Sequence, residues 1–371
     1  MPNTITIDAR MLESSGIGTY LRHLLESLAA MENEYSFRVI GRQEELFAGL
    51  PRGKFQFVAA RSPIYSLSEQ WEIARLARPC QLLHSPHYNA PLLYRGKLVV
   101  TIHDLIHLTD PAFKKTPASR FYARPMFHLV ARRADRLIAD SEFTKQQIVE
   151  HLGVAPQKVV VIYLGVSDRF HPLDPEQACR RASSVLGLER PYLLFVGNLK
   201  PHKNVRTLIR AFALLCSQRD FNRHLVILGD DRKWKAALVD ECAKLGIGER
   251  VLFAPHLPGE ELPWVYAAAD VLVMPSLIEG FGFPVLEAMA CGTPVVCSRA
   301  ASLPEVAGDA AEYFDPASAE DLAAALQRVL GSSQLRETLR AKGLERARLF
   351  SWRECARRTL DVYRSVLEST G

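Results

Sequence analysis

The sequence predicts an α/β protein made of two Rossmann-like, doubly wound domains facing a central cleft. Three observations carry this. Short apolar runs alternate with amphipathic stretches of about 10–15 residues, the pattern of parallel strands joined by crossover helices. The pattern starts afresh at Tyr192, after a stretch rich in turn residues. A chain of 371 residues also exceeds what one ordinary hydrophobic core holds. The expected boundaries are 1–170 for the first domain and 171–350 for the second. A final helix over 351–371 is expected to pack back on the first domain.

Thr4-Ile5-Thr6-Ile7-Asp8 reads as the first strand, and Ser14–Tyr20 as a glycine-bearing turn holding Gly16 and Gly18. Tyr20, Leu21, Leu24, Leu25 and Leu28 then keep helical spacing. The turn is not a dinucleotide fingerprint. Leu21 stands where G-x-G-x-x-G needs its last glycine, and the strand Phe37–Ile40 ends in Gly41 rather than an acid. Phe55–Val58, a helix around Leu67–Leu76, and Leu82–His87 follow. Leu98–Ile102 is a buried-looking strand ending in His103-Asp104. In an open parallel sheet ligands bind beyond the carboxyl ends of strands, so His103 stands where chemistry is expected. Arg136–Ser141 runs from strand into helix cap, Glu142–His151 into helix, and Val159–Val166 into strand. The turn residues Pro172, Asp174 and Pro175 place the linker over 168–191, with a short helical patch.

The second half repeats the plan. Tyr192–Val196 is a strand, Gly197–Asn204 a loop holding Asn198 and Lys203, and Val205–Cys216 an amphipathic helix. Leu225–Leu228, Arg250–Ala254 and a helix Pro258–Ala269 follow. Val271–Met274 then stops at Pro275, and a loop carries Glu279 and Gly280-Phe281-Gly282-Phe283. Pro284 opens a helix over Val285–Ala290, and Gly292 closes it before the strand Val295–Cys297. Proline suits a first helical turn, where its missing N–H would have no partner, and glycine is a usual stop. The result is a helix N-terminus with bare backbone donors, flanked by the carboxylates Glu279 and Glu287. Three such glycine turns, near Gly16, Gly197 and Gly280–Gly282, suit a diphosphate if they converge, and Lys203 adds a cation.

Composition excludes several classes. No apolar run reaches the length of a membrane span, and no basic-then-apolar leader opens the chain, so a cytoplasmic protein is expected. The seven cysteines are odd in number and form no C-x-x-C pair, which argues against a disulfide framework or a zinc site. The net charge of +5 lies wholly in the first 170 residues, which hold 21 basic and 16 acidic side chains. Lys114, Lys115, Arg120, Arg124, Arg132, Arg133 and Arg136 supply much of it. Such a face can attract an anionic membrane surface, and no nucleic-acid module accompanies it.

Four motifs together resemble the retaining glycosyltransferases of family 4, which have the GT-B fold. They are S-S-G-I-G-T-Y at Ser14–Tyr20, V-G-N-L-K-P-H-K-N at Val196–Asn204, E-G-F-G-F-P-V-L-E at Glu279–Glu287 and S-L-P-E-V at Ser302–Val306. The likeness covers nearly the whole chain. It implies a hexosyltransferase taking a nucleotide sugar, with GDP-mannose favoured and UDP- or dTDP-sugars as alternatives. The implied acceptor is a saccharide, lipid-linked as on a polyprenyl diphosphate, in surface polysaccharide or O-antigen synthesis. Another sugar-nucleotide chemistry on the same fold is the alternative reaction. The resemblance assigns Glu279, His103 and Lys203 to catalysis. Glu279 would bond the sugar hydroxyls, the backbone of Gly280, Phe281, Gly282 and Phe283 would hold sugar and diphosphate, and Glu287 would grip the ribose. Lys203 would neutralise the diphosphate, Gly16 beside Gly18 would donate to its distal phosphate, and His103 would meet the sugar's primary alcohol. Asn198 stands where many members carry arginine, and an amide lacks a guanidinium's bidentate phosphate contact. No metal and no pyridoxal phosphate are expected, and the adjacent Asp230-Asp231 read as a turn rather than an Asp-x-Asp ligand set.

Overall fold

Strands that are apolar along their whole length belong in a parallel sheet covered by helices on both faces. The computed structural model describes residues 4–110, 119–188, 191–255 and 257–369, with the backbone alone at 119–120. In it the chain divides into two compact units. Unit 1 comprises Met1–Gly165 together with Ser351–Gly371, and unit 2 comprises Val166–Phe350.

The strands of unit 1 are β1 (Thr4–Asp8), β2 (Ser36–Gly41), β3 (Phe55–Ala59), β4 (Leu82–Ser85), β5 (Lys97–Ile102), β6 (Arg136–Ala139) and β7 (Val159–Val161). They form one parallel sheet in the order β3-β2-β1-β4-β5-β6-β7. Unit 2 contributes β8 (Tyr192–Val196), β9 (His224–Leu228), β10 (Val251–Ala254), β11 (Val271–Met274), β12 (Val295–Ser298) and β13 (Ala311–Phe314). These are parallel in the order β10-β9-β8-β11-β12-β13. In both sheets the order reverses once, between β1 and β4 and between β8 and β11. The crevice outside the carboxyl ends at such a switch point is where open α/β sheets bind ligands.

The central strands are the cores. Leu193, Leu194, Phe195, Val271, Leu272 and Val273 have no exposed surface. Burying each such side chain contributes about 1.5–3 kcal/mol. Ser141, Asp174, Asp231, Ser318, Ser332 and Ser351 cap the helices that follow them by accepting a backbone N–H, each worth about 1 kcal/mol. Asp231 is thus a helix cap.

Three elements differ from the sequence reading. The segment 168–191 holds a full helix, Pro175–Leu186, capped by Asp174 and ended by Gly187, and it belongs to unit 2. The helix expected from Pro258 is Leu262–Ala268, because a turn precedes it and Pro263 sits in its first turn. The strand expected over Val159–Val166 pairs only to Val161, since β7 is the sheet edge and meets β6 alone. The closing helix, Trp352–Glu368, packs on helix Ser15–Ala30 within unit 1. Its Tyr363 hydroxyl lies 2.6 Å from His84 Nδ1, and His84 Nε2 lies 2.9 Å from Thr101 Oγ1. Burial pushes His84 down to about 3, so it is neutral and fixed in place. Of the basic residues singled out above, Lys114, Lys115 and the Arg120 side chain lie outside the described residues.

Candidate active site

Because β8 and β11 are neighbours at the switch point of unit 2, the loops leaving their carboxyl ends meet. Lys203, on the first loop, donates from Nζ to Glu279 Oε1 on the second at 2.6 Å. The two side chains are only 12% and 9% exposed. Ser276 Oγ donates to the same carboxylate oxygen at 2.7 Å. Backbone bonding fixes both loops: Leu277 N–H reaches the His202 carbonyl at 2.8 Å. Asn204, at φ +55°, donates from Nδ2 to the carbonyls of Pro275 and Pro316 at 3.0 and 2.9 Å. Ser302 Oγ bridges the carbonyls of Glu279 and Phe281 at 3.0 and 2.9 Å.

The glycine at 282 is required. Its φ is +108°, and a Cβ there would sit 2.8 Å from a methyl of Leu303. It caps helix Phe283–Ala290, with Pro284 in the first turn. Gly280 lies in the loop just before it. The Phe281 ring is buried against Phe283 and Phe350, so this loop can offer a ligand its backbone there but not that ring. Glu287, on the same helix, accepts from the Tyr266 hydroxyl at 2.8 Å. Burial raises its pKa, and the Tyr266 hydrogen bond and the Arg169 charge only partly offset this. Asn198 Oδ1 accepts from the Lys200 N–H at 3.2 Å, so the amide braces its own turn.

In unit 1, Gly16 and Gly18 lie in the first turn of helix Ser15–Ala30. Gly16 is exposed with open space where a Cβ would stand; Gly18 is buried, its Cβ position 2.2 Å from the Leu12 carbonyl oxygen. The Gly18 N–H already donates to the Ser14 carbonyl at 2.7 Å, whereas the N–H groups of Ser15, Gly16 and Ile17 precede that first intrahelical bond and suit an anion. Tyr20 of the same helix meets the His103 ring edge-on, with centroids 4.9 Å apart.

Both nitrogens of His103 are engaged within unit 1. Nε2 lies 3.0 Å from the Pro86 carbonyl oxygen, and Nδ1 lies 2.6 Å from Asp140 Oδ2. A carbonyl only accepts, so Nε2 carries a proton. A second proton lies between Nδ1 and the carboxylate. A sugar contact through either nitrogen requires exchanging one of these bonds. Burial pulls His103 down, but Asp140 outweighs it and the net shift is upward. Burial also raises Asp140, against the pull of His103. Both shifts have one sign for stability. A raised histidine contributes stability that is complete below its unfolded value of about 6.5 and is lost as pH rises through its folded value. A raised carboxyl likewise loses stability as pH rises through its folded value. We therefore expect urea denaturation to show unit 1 weakening as pH rises above about 3.9 through Asp140, and further above about 6.5 through His103. In the double variant His103→Gln/Asp140→Asn that decline should disappear. An equal decline in wild type and variant would refute the assignment.

A buried network at the β1–β4 switch point escaped sequence reading. Arg10 donates from Nε and Nη2 to Asp8 at 2.8 and 2.7 Å, and from Nη1 to Glu69 at 2.8 Å. Asn89 Nδ2 donates to Glu69 at 2.6 Å, and the Tyr122 hydroxyl contacts both Glu69 and Asn89. Asp140, Tyr266, Ser276 and the stapling role of Asn204 also escaped it. The one available signal was position, since Asp140 and Ser276 stand just past strand ends.

The expected residues thus fall into two groups. Lys203 and Glu279 are in contact, with Gly280–Phe283, Glu287 and Asn198 on the same loops and helix of unit 2. His103, Gly16 and Gly18 belong to unit 1. Among the described residues no three His, Cys, Asp or Glu side chains are grouped to hold a metal. No helix there is long and apolar enough to cross a membrane. All seven cysteines are free thiols, five of them buried.

Comparison with known proteins agrees with this arrangement. The profile described as Glycosyltransferase Family 4 matches residues 14–170, and that described as Glycosyl transferases group 1 matches residues 178–346. O-antigen chain mannosyltransferase B of Escherichia coli is 31% identical over 284 residues, which cover 76% of this chain and 74% of that protein. D-inositol 3-phosphate glycosyltransferase of Saccharomonospora viridis is 35% identical over 286 residues, covering 73% of this chain and 65% of that longer protein. The structure of Anabaena HepE in complex with UDP and glucose is similar at a TM-score of 0.80 and 18% identity, over 98% of this chain and 100% of that one. With its two parallel sheets of seven and six strands and the Lys203–Glu279 pair at the switch point of the second, this chain belongs to the family 4 glycosyltransferases of GT-B fold.

Proposed function

We propose that this glycosyltransferase moves a hexose from a nucleotide sugar, GDP-mannose first among donors, to a lipid-linked saccharide in surface polysaccharide synthesis. Transfer proceeds with retention of anomeric configuration and without a metal ion. The observation that carries the reading is the contact between Lys203 and Glu279 at a loop–helix junction with Glu287 further along the helix. A cation for the diphosphate thereby lies against the carboxylate assigned to the sugar, and the carboxylate assigned to the ribose stands on the helix that follows.

In this reading unit 2 holds the donor and unit 1 the acceptor. The acceptor hydroxyl attacks the anomeric carbon on the face from which the diphosphate leaves. The anomeric carbon–phosphate oxygen bond breaks, the glycosidic bond forms, and the hydroxyl proton passes to the leaving diphosphate. Lys203 and the backbone N–H groups at the head of helix Phe283–Ala290 meet the developing charge. The Asn198 Oδ1 is held by the Lys200 N–H and its amide carries no charge, so the diphosphate charge falls chiefly to Lys203. Mannose is supported by the likeness to the Escherichia coli mannosyltransferase; UDP- and dTDP-sugars are the alternative donors. The basic excess of the first 170 residues supports docking on an anionic membrane.

One experiment tests the proposal. Purified protein is offered GDP-, UDP-, ADP- and dTDP-sugars, and unfolding is followed. The true donor should stabilise it by about 2.7 kcal/mol at a hundredfold excess over Kd. Transfer is then run with that donor, with EDTA and with anionic vesicles, and the product anomer is read by NMR. Retention, indifference to EDTA and vesicle binding at low salt are expected. An inverted product, loss of activity restored by magnesium or manganese, or no vesicle binding overturns the corresponding part.

A further inference from the structure

Tyr65 occupies a conformation that side chains avoid. Its φ is +65°, in company with only Asn204 and Ala301 among the described non-glycine residues. Asparagine tolerates this region, whereas a bulky aromatic residue there is an outlier. The surroundings impose it. Glu72 accepts the N–H groups of Arg61 and Ser62 at 3.0 and 2.6 Å, and Ser66 caps helix Leu67–Ala77. A turn alone would be met more easily by glycine. Strain of this kind persists where the structure over-determines it, and it clusters at ligand sites.

Tyr65 is 43% exposed as a residue, yet its ring is fixed by other aromatics. It meets His87 and Tyr122 edge-on, each at 5.8 Å, and Tyr88 at 6.4 Å. Tyr88 in turn stacks on Phe127 at 3.8 Å. Below the rings lies the network of Asp8, Arg10, Glu69 and Asn89, none more than 7% exposed. That network holds the Tyr122 hydroxyl. The whole group stands at the β1–β4 switch point, where a ligand is expected. An aromatic ring has a negative face, which attracts the polarised C–H groups on the apolar side of a pyranose. The hydroxyls of Tyr122 and Tyr88 alongside are held by Glu69, Asn89 and His107, so the contact this group offers is the ring of Tyr65.

We propose that Tyr65 is the stacking and specificity-determining residue of a saccharide subsite in unit 1. The proposal rests on the reading of unit 1 as the acceptor side and names the group that selects the acceptor sugar. Packing against His87, Tyr88 and Tyr122 fixes the ring for that contact.

Saturation-transfer NMR with methyl α-D-mannopyranoside and methyl α-D-glucopyranoside tests it on the full chain. Wild type should transfer saturation to at least one glycoside. Tyr65→Phe keeps the ring and should bind within about twofold of wild type, and Tyr65→Gly should weaken binding roughly tenfold or more. Glycine accepts the positive φ, so this variant should fold, as circular dichroism will verify. No transfer to either glycoside in wild type, or equal binding by Tyr65→Gly, overturns the proposal. The donor's effect on wild-type stability is measured separately. A failure there refutes the nucleotide-sugar reading and leaves the glycoside result to stand or fall alone.

Discussion

Replacing Lys203 with Met should lower the transfer rate by about 10²–10³-fold, the loss found when one preorganised charge-stabilising donor is removed. The same change should destabilise unit 2 by about 3–5 kcal/mol, because it strands the Glu279 carboxylate, itself 9% exposed, without its cation. Ser276 remains as a donor but carries no charge. The second substitution separates the two losses. In Lys203→Met/Glu279→Gln no buried charge is left unpaired, so most of the stability should return, while transfer should stay at the level of the single variant or below. Denaturation curves and nucleoside diphosphate release, measured on the same samples, check this. Recovery of activity with stability would show that the pair is only structural.

Arg10→Met should be the most damaging single change in unit 1, costing about 3–5 kcal/mol. The guanidinium is bonded to two carboxylates, those of Asp8 and Glu69, and all three side chains are buried. Without it two anions face each other in a low dielectric. Glu69 would then depend on Asn89 and Tyr122 alone. The triple variant Asp8→Asn/Arg10→Met/Glu69→Gln removes the unbalanced charge and should recover most of the loss in urea denaturation. A cost below about 1 kcal/mol for the single change would place the network with surface ion pairs, whose worth is of that order.

Much of the site was legible because its signals are local. Pro284 in the first turn, Gly282 before it and Gly292 after it mark helix Phe283–Ala290 without reference to anything distant. The same holds for the alternation that revealed two sheets, and for the cap Ser141, whereas Asp231, read as part of a turn, caps a helix. The linker was misread for a related reason. Asp174 and Pro175 are turn residues, but they are equally a cap and first helical position, and they start helix Pro175–Leu186. The partners of His103 were not legible. Asp140 follows a different strand, and the two meet because β5 and β6 pair in parallel with their carboxyl ends level.

By itself the sequence determined the α/β class, the two sheets, the glycine-bearing turns and the residue types that stand at their ends. Periodicity and turn chemistry act over a few residues and need no tertiary context. Only the tertiary structure decided which turns meet. Strand order is set by non-local pairing, and it places β8 beside β11, so that Lys203 reaches Glu279 across 76 positions of sequence. Strand order likewise sets β1 beside β4, assembling Arg10, Glu69 and Asn89 beneath the exposed ring of Tyr65. Buried charges settle only where partners from distant segments can satisfy them, and that condition belongs to the fold rather than to any stretch of the chain.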